Sequence, residues 1–227
     1  MAYHKTYYGP NNAVLIVAGD IDTQETIGLV KKYFDEVPRG NEVVRNFPKE
    51  EPISENVRAI AYDRNIQIPM LLSSFRTPGF ASRDSYVLDM ISTYLSSGKS
   101  SVLYKKLVDD QKQALQTQVI NLGQVDYNIF AILALPLGDV SLDTLLIEIE
   151  EEIEKVQNEL ISERDHQKLL NKFESQFVNS NSSIAGIANS LARYYLLYGD
   201  VNLINKEIDI YRSISREEIR SVAQKYL

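Results

Sequence analysis

The stretch from Leu115 to Leu135, LQTQVINLGQVDYNIFAILAL, decides the fold of this 227-residue chain. Its two halves, Leu115–Leu122 and Tyr127–Leu135, are strand-like runs on either side of a turn near Gly123. Two such runs with a short connection predict an antiparallel hairpin. The second run is almost wholly apolar, so it is predicted to lie at the centre of a sheet.

Helices are predicted on the C-terminal side of this hairpin. Apolar residues recur at helical spacing from Leu142 to Leu160 and predict one long amphipathic helix. Another helix is expected to begin after Ser162, and Ser215 with Glu218 three residues later has the pattern of a capping box for the last one. A run of helices therefore follows the hairpin.

Strands and helices also precede the hairpin. Val57–Tyr62 and Ile66–Phe75 are strand candidates, although Pro69 pushes the second toward a sheet edge or a bulge. Two helices are then predicted, the first around Val87–Leu95 and the second around Ser101–Gln111. Adjacent strands separated by runs of helices predict the α+β class, with a largely antiparallel sheet backed by helices.

The first 56 residues have a different organisation. Ala13–Ala18 (AVLIVA) is predicted to be a buried strand, and Asp22 with Glu25 predicts the capped start of a helix that ends before Pro38. Gly40–Asn56 is charged and aperiodic, which is typical of an exposed linker. We therefore expect a strand-helix piece at 1–40, a linker at 41–56 and a separate domain at 57–227.

Composition excludes several classes of protein. The chain has no Cys and only two His, His4 and His166, so thiolate metal sites and disulfide scaffolds are excluded and a catalytic zinc is poorly supplied. The net charge of −7 argues against a nucleic-acid partner. No apolar run reaches about 18 residues, so no membrane span is predicted and a soluble chain is expected. The residues leave both a periplasmic and a cytoplasmic location open.

Three local patterns have structural interpretations that are simpler than their functional ones. Ser97–Ser100 (SGKS) resembles the end of a phosphate-binding loop, but Thr93 replaces the first Gly and no strand precedes it, which predicts a turn between helices. Asp20-Ile21-Asp22 is interpreted as a helix cap rather than a cation site. His166 beside Asp165 is interpreted as a surface residue, since no nucleophile accompanies it.

Three segments, taken in their order and spacing, carry a family resemblance. They are YYGPNN at 7–12 leading into AVLIVAGDID, KKYF at 31–34 before PRG at 38–40, and SSVLY at 100–104 continuing through Leu115. Over essentially the whole chain they resemble the insulinase/pitrilysin family of zinc peptidases, which includes the mitochondrial processing peptidases. The resemblance implies the metallopeptidase-family (LuxS/MPP-like) architecture. It also implies that residues 1–40 end a preceding homologous domain and that 57–227 form a second, non-catalytic one.

The resemblance places the zinc outside this chain. Family members hold zinc with the inverted motif His-x-x-Glu-His and a downstream Glu, in which Glu activates a metal-bound water. Neither His4 nor His166 has that context. No metal ligand is therefore assigned here, no cofactor is expected in this chain, and zinc is expected in a missing N-terminal half.

The resemblance also bears on substrate contacts. The second half of active members commonly supplies an Arg and, seven residues later, a Tyr that bind the substrate backbone. The matching positions here are Val108 and Leu115, whose apolar side chains donate no hydrogen bonds. No catalytic residue and no confirmed substrate-binding residue is therefore assigned.

The resemblance implies the non-catalytic C-terminal portion of a zinc metallopeptidase, a wall of a peptide-enclosing chamber opposite the zinc-bearing half. That half and unfolded peptides are the implied partners, and the chain alone is expected to be inactive. The alternative is a non-enzymatic scaffold or assembly subunit on the same fold, which Val108 and Leu115 favour; a third is a peptide-binding partner of a separate catalytic chain. The strand Ala13–Ala18 is expected to cover a sheet edge in its own chain or a neighbour's, which allows a homo-oligomer.

Overall fold

The second strand of the predicted hairpin lies at the centre of the sheet. The computed structural model describes residues 2–44, 46–48, 50–51 and 53–227. Within them the strands are β1 (Leu71–Pro78), β2 (Ala114–Leu122) and β3 (Tyr127–Pro136), all antiparallel and in the order β1-β3-β2. The hairpin and the central position of its apolar second strand are both confirmed.

Helices make up most of the remaining regular structure. The α-helices are α1 (Ala2–Tyr7), α2 (Thr23–Phe34), α3 (Arg83–Ser96), α4 (Leu142–Asn158), α5 (Glu163–Ser180), α6 (Ile184–Tyr198), α7 (Glu207–Arg212) and α8 (Arg216–Tyr226). A π-helical segment, Tyr104–Asp110, follows α3 where an α-helix was predicted. Its wider turn is visible in the bond that the Gln111 N–H donates to the Lys106 carbonyl, five residues back, at 2.9 Å.

The predicted helix starts are confirmed by their capping bonds. Asp22 accepts a hydrogen bond from the backbone N–H of Glu25 at 2.8 Å at the start of α2. Ser215 accepts one from the backbone N–H of Glu218 at 3.1 Å at the start of α8. Each bond gives an acceptor to a backbone N–H that has no partner within the helix. Such a cap typically contributes about 1 kcal/mol to stability.

The core lies between the sheet and the three helices α3, α4 and α8, all of which contact strands. Its side chains are fully buried and come from every one of these elements, as Leu88, Ile91, Phe130, Ile132, Leu145, Ile149 and Ile219 show. Burying one such side chain contributes about 1.5–3 kcal/mol. The predicted α+β class, an antiparallel sheet backed by helices, is confirmed.

The chain divides into two compact units. The first comprises Met1–Pro52 and Phe177–Asn205, and the second comprises Ile53–Gln176 and Lys206–Leu227. In the first unit, Asn11 accepts a hydrogen bond from the backbone N–H of Gly40 at 2.8 Å and so joins the two ends of the α2 segment. The sheet and its helices belong to the second unit. The division at 1–40, 41–56 and 57–227 stays a prediction, and residues 45, 49 and 52 of its linker lie outside the described residues.

Two strand predictions are wrong. Residues 13–18 form no strand within the described part of the chain, and Leu15 is 57% exposed. Residues 57–70 are likewise irregular, and the strand expected at Ile66–Phe75 is shifted to Leu71–Pro78. An apolar run becomes a strand only where another strand pairs with it. Pro69 supplies no N–H for such a ladder, so β1 begins beyond it.

Candidate functional site on the uncovered face of the sheet

Among the described residues of the second unit, no helix covers one face of the sheet. Successive side chains of a strand point to opposite faces. In β3, Phe130 is fully buried on the helix side, whereas its neighbour Ile129 is 47% exposed. We call the side to which Ile129 points the open face.

The open face runs across the three strands because their register aligns it, although Ala131 at its centre is only 4% exposed. Its matched rows are Leu72, Leu133 and Gln118; Ser74, Ala131 and Ile120; and Arg76, Ile129 and Leu122. The exposed fraction is 56% for Leu72 and 45% for Leu122. A folded chain that leaves an apolar patch of this kind uncovered presents a contact surface.

Two polar side chains lie together at one end of the open face. The guanidinium carbon of Arg76 is 5.3 Å from the ring centroid of Tyr127, a cation–π distance. Arg76 occupies the same row as Ile129, and Tyr127 follows the same alternation along β3. A guanidinium offers five N–H donors and a phenol both donates and accepts. The open face therefore combines apolar surface with groups that can bind a peptide backbone.

Sequence reasoning missed this pair. The strand predicted at Ile66–Phe75 ended one residue before Arg76, so its side chain was not placed on the sheet. The sequence signal that could have located Arg76 is the period-two alternation of β1. Continued past Phe75, this alternation puts Leu72, Ser74 and Arg76 on one face. The correct end of β1 was the missing information.

The two positions matched to the family's polar pair lie in different elements. Val108 is half-buried in the π-helical segment. Leu115 is 46% exposed at the irregularity in β2, where the register shifts between Ala114 and Gln116. Neither side chain carries a polar atom, so no hydrogen bond to a substrate comes from them.

Both histidines have contacts that explain them without catalysis. His4 stacks on Tyr8 with ring centroids 4.8 Å apart. His166 is half-buried, and its Nε2 donates to the backbone carbonyl of Ile214 at 2.8 Å. The expectation of a plain surface residue is thus corrected for His166, because this bond ties α5 to the segment before α8.

The acidic residues next to these motifs also have structural roles. Asp165 accepts a hydrogen bond from the Ser162 hydroxyl at 2.6 Å, and Asp22 caps α2. No group of three His, Asp or Glu side chains in the described residues is arranged to hold a metal ion. A catalytic zinc needs three such ligands, so the described residues do not fit one.

The Ser97–Ser100 segment is the turn between helices that its sequence predicts. Gly98 has φ +81°, a left-handed conformation that side chains rarely adopt, and its carbonyl accepts from the hydroxyl of Ser101 at 2.7 Å. A helix, α3, precedes the turn, whereas a phosphate-binding loop follows a strand.

A partly buried ion cluster joins the π-helical segment to α4. The Lys106 ammonium lies 2.8 Å from Glu148, 2.9 Å from Glu151 and 3.0 Å from Glu152, whose side chain is only 7% exposed. Burial opposes the charge of Lys106, but the hydrogen bonds to these carboxylates outweigh it and raise the pKa of the ammonium. The same bond from Lys106 is the main cause that lowers the pKa of Glu148.

A second polar group links α3, α7 and β2. The Tyr211 hydroxyl donates to the Asp89 carboxylate at 3.2 Å, and the Asn121 amide donates to it at 2.8 Å. Burial, followed by the charge of Asp89, raises the pKa of the Tyr211 phenol. The phenol therefore stays protonated and acts as a donor to the carboxylate.

Comparison with known proteins points to one family. The family profile described as "Peptidase M16 inactive domain" matches residues 1–173. A curated relative, described as zinc protease PqqE of Helicobacter pylori, is 26% identical over 226 residues, which are 99% of this chain and 51% of that protein.

Solved structures agree with this match. The crystal structure of a protease from Helicobacter pylori superimposes with a TM-score of 0.89 at 26% identity, over 99% of this chain and 54% of that one. The crystal structure of a putative M16-like peptidase from Alicyclobacillus acidocaldarius gives 0.77 at 16% identity, over 99% and 54%. The chain thus spans about half the length of each of these three proteins. Among the described residues, no helix has the length and apolarity to cross a membrane.

Proposed function

Because the chain belongs to the family of peptidase M16 inactive domains, we propose that the open face is a wall of the chamber in which a zinc-dependent metallopeptidase encloses its peptide. The chain is the inactive C-terminal M16 domain of a zinc protease-like protein. In this proposal its partners are a zinc-bearing half on the opposite side of the chamber and unfolded peptide. The division of the chain at 1–40, 41–56 and 57–227 is part of the same proposal.

The observation that carries the proposal is the difference between the two sides of the sheet. Helices bury Phe130 and Ile132 completely, whereas Leu72, Leu122 and Ile129 on the other side are each about half exposed. A domain that functioned alone would gain stability by covering those side chains. Their exposure is explained if a peptide and the walls of a chamber cover them in the complete protein.

The role of this chain in the proposal is to bind and orient peptide. Arg76 and Tyr127 would donate hydrogen bonds to peptide carbonyls, and the apolar rows beside them would cover side chains of an unfolded segment. The zinc, which would polarise a scissile carbonyl and activate water, belongs to the other half. No catalytic step is assigned to residues of this chain.

Site-specific crosslinking in the full-length protein tests the wall. A photo-reactive amino acid replaces Ile129 on the open face, and in a matched variant it replaces Ile147 on α4, which is 57% exposed. A labelled unfolded peptide is expected to crosslink at position 129 and not at position 147. Equal crosslinking at both positions, or crosslinking at 147 alone, would overturn the proposal.

The alternative of a non-enzymatic scaffold is favoured by one observation, the apolar side chains of Val108 and Leu115 at the family's polar positions. Zinc content and hydrolysis of a quenched fluorescent peptide distinguish the two functions. Hydrolysis and about one zinc in the full-length protein alone support the peptidase half. Inactivity and no zinc in both the full-length protein and this chain support the scaffold.

A further inference from the structure

A cavity of about 420 Å³ lies in the second unit, between the end of α3, the π-helical segment and α5. Its volume is in the range of pockets that hold small molecules. It is separate from the open face, since no residue of the open-face rows lines it. Its lining is dominated by cationic and hydroxyl side chains, which distinguishes it from an apolar packing defect.

Two lysines of α5 direct their ammonium groups to the turn at Ser97–Ser100. Lys168 donates to the Ser100 hydroxyl at 2.7 Å and to the Ser100 carbonyl at 3.2 Å. Lys172 donates to the Ser97 hydroxyl. Because an ammonium has three N–H donors, each lysine keeps at least one donor for a further acceptor.

The cavity has a positive charge balance in an acidic protein. Four lysines and two aspartates line it, which leaves two net positive charges, whereas the whole chain carries −7. One of the lysines, Lys106, is neutralised from outside the cavity by Glu148, Glu151 and Glu152. Within the described residues, no carboxylate lies at ion-pair distance from Lys105, Lys168 or Lys172.

The electrostatic environment of Lys172 favours binding of an anion beside it. Burial and the nearby charge of Lys168 lower the pKa of its ammonium. A negative group between the two lysines would offset both effects, because it stabilises the charged form of each. The two aspartates of the lining do not do so: Asp165 is bonded to Ser162, and Asp110 is exposed on the π-helical segment.

We propose that this cavity binds a small phosphate-bearing anion, held by Lys105, Lys168 and Lys172 with the hydroxyls of Ser97 and Ser100. The choice of phosphate over carboxylate rests on the donors. A phosphate group has three or more acceptor oxygens and about two negative charges, which suit three ammonium groups and two hydroxyls, whereas a carboxylate has two oxygens and one charge. The turn itself is not a nucleotide loop, and Lys99 takes no part.

Calorimetric titration of the chain with inorganic pyrophosphate at low ionic strength tests the site. Saturable binding to one site is expected, weakening as salt is added. Backbone amide signals of residues 97–101 are expected to shift in the same titration. Succinate, a dicarboxylate, is expected to bind more weakly; tighter binding of succinate than of pyrophosphate would overturn the assignment to phosphate.

Charge-matched double variants locate the binding. K168Q/K172Q is expected to weaken pyrophosphate affinity about tenfold or more, since it removes two charge-assisted donors. The control K31Q/K32Q removes the same charge from exposed positions of α2 and should change affinity less than about twofold. The absence of saturable binding, or equal weakening in both variants, would refute the site. If circular dichroism shows K168Q/K172Q to be unfolded, K105Q, which changes an exposed side chain, replaces it. An unchanged pyrophosphate affinity of K105Q would then refute the site.

Discussion

Neighbouring residues of β3 provide a direct test of the open face, because one turns to the helices and the other away from them. Phe130 is 0% exposed and meets Phe75 edge-on with ring centroids 6.4 Å apart. Replacing it with Ala removes a buried ring and leaves a cavity, which typically costs about 3–5 kcal/mol. Ile129 is 47% exposed, so Ile129→Ala removes three carbons at about half of 0.8 kcal/mol each, or about 1 kcal/mol, with no cavity.

Urea unfolding followed by far-ultraviolet circular dichroism measures this difference. With a slope of about 2 kcal/mol per molar urea, the midpoint is expected to fall by about 2 M for Phe130→Ala and by about 0.5 M for Ile129→Ala. Unchanged slopes would show that both variants act on the same transition. If Ile129→Ala destabilised the chain as much as Phe130→Ala, the open face would be covered in the isolated chain and our argument for a chamber wall would fail.

Three further predictions follow from named contacts. Lys106→Met should reduce the loss of stability to urea that accompanies acidification. The lowered pKa of Glu148 contributes stability that is fully present above the ordinary carboxyl pKa near 4 and is lost as the pH falls through the folded-state pKa. An unchanged dependence of stability on pH would contradict this. Tyr211→Phe removes the bond to Asp89 and should lower the free energy of unfolding by about 1–2 kcal/mol, measured by urea titration; no change would show that the bond contributes nothing. Arg76→Ala should weaken capture of an unfolded peptide by the full-length protein, measured by fluorescence anisotropy, while unfolding of the chain changes by about 1 kcal/mol or less; equal capture would remove Arg76 from the wall.

Local sequence rules succeeded where the cause of the structure is itself local. The caps of α2 and α8 form because Asp22 and Ser215 stand beside the N–H groups that they satisfy. The hairpin forms because its two runs are joined by a short turn. The apolar character of Tyr127–Leu135 correctly indicated the central strand, since both edges of that strand are paired.

The candidate site was less accessible to such rules. No motif marks Arg76 and Tyr127, whose proximity depends on the pairing of Pro78 with Tyr127 at the end of the β1–β3 ladder. Two lysines of the cavity, Lys168 and Lys172, are likewise about 70 residues from the turn that they contact. Contacts over such distances in sequence depend on how elements pack, which single-sequence patterns do not encode.

The amino-acid sequence alone determined the α+β class, the hairpin and the helix caps, and its motifs carried the resemblance to zinc peptidases. Only the tertiary structure decided that residues 13–18 and 57–70 form no strands among the described residues, that Arg76 meets Tyr127 on an uncovered face, and that lysines of α5 converge on the turn after α3. The physical reason is the range of the interactions. A cap or a tight turn is satisfied within a few residues, whereas a strand, an exposed face or a charged cavity exists only once distant segments have packed and each has found or failed to find its partner.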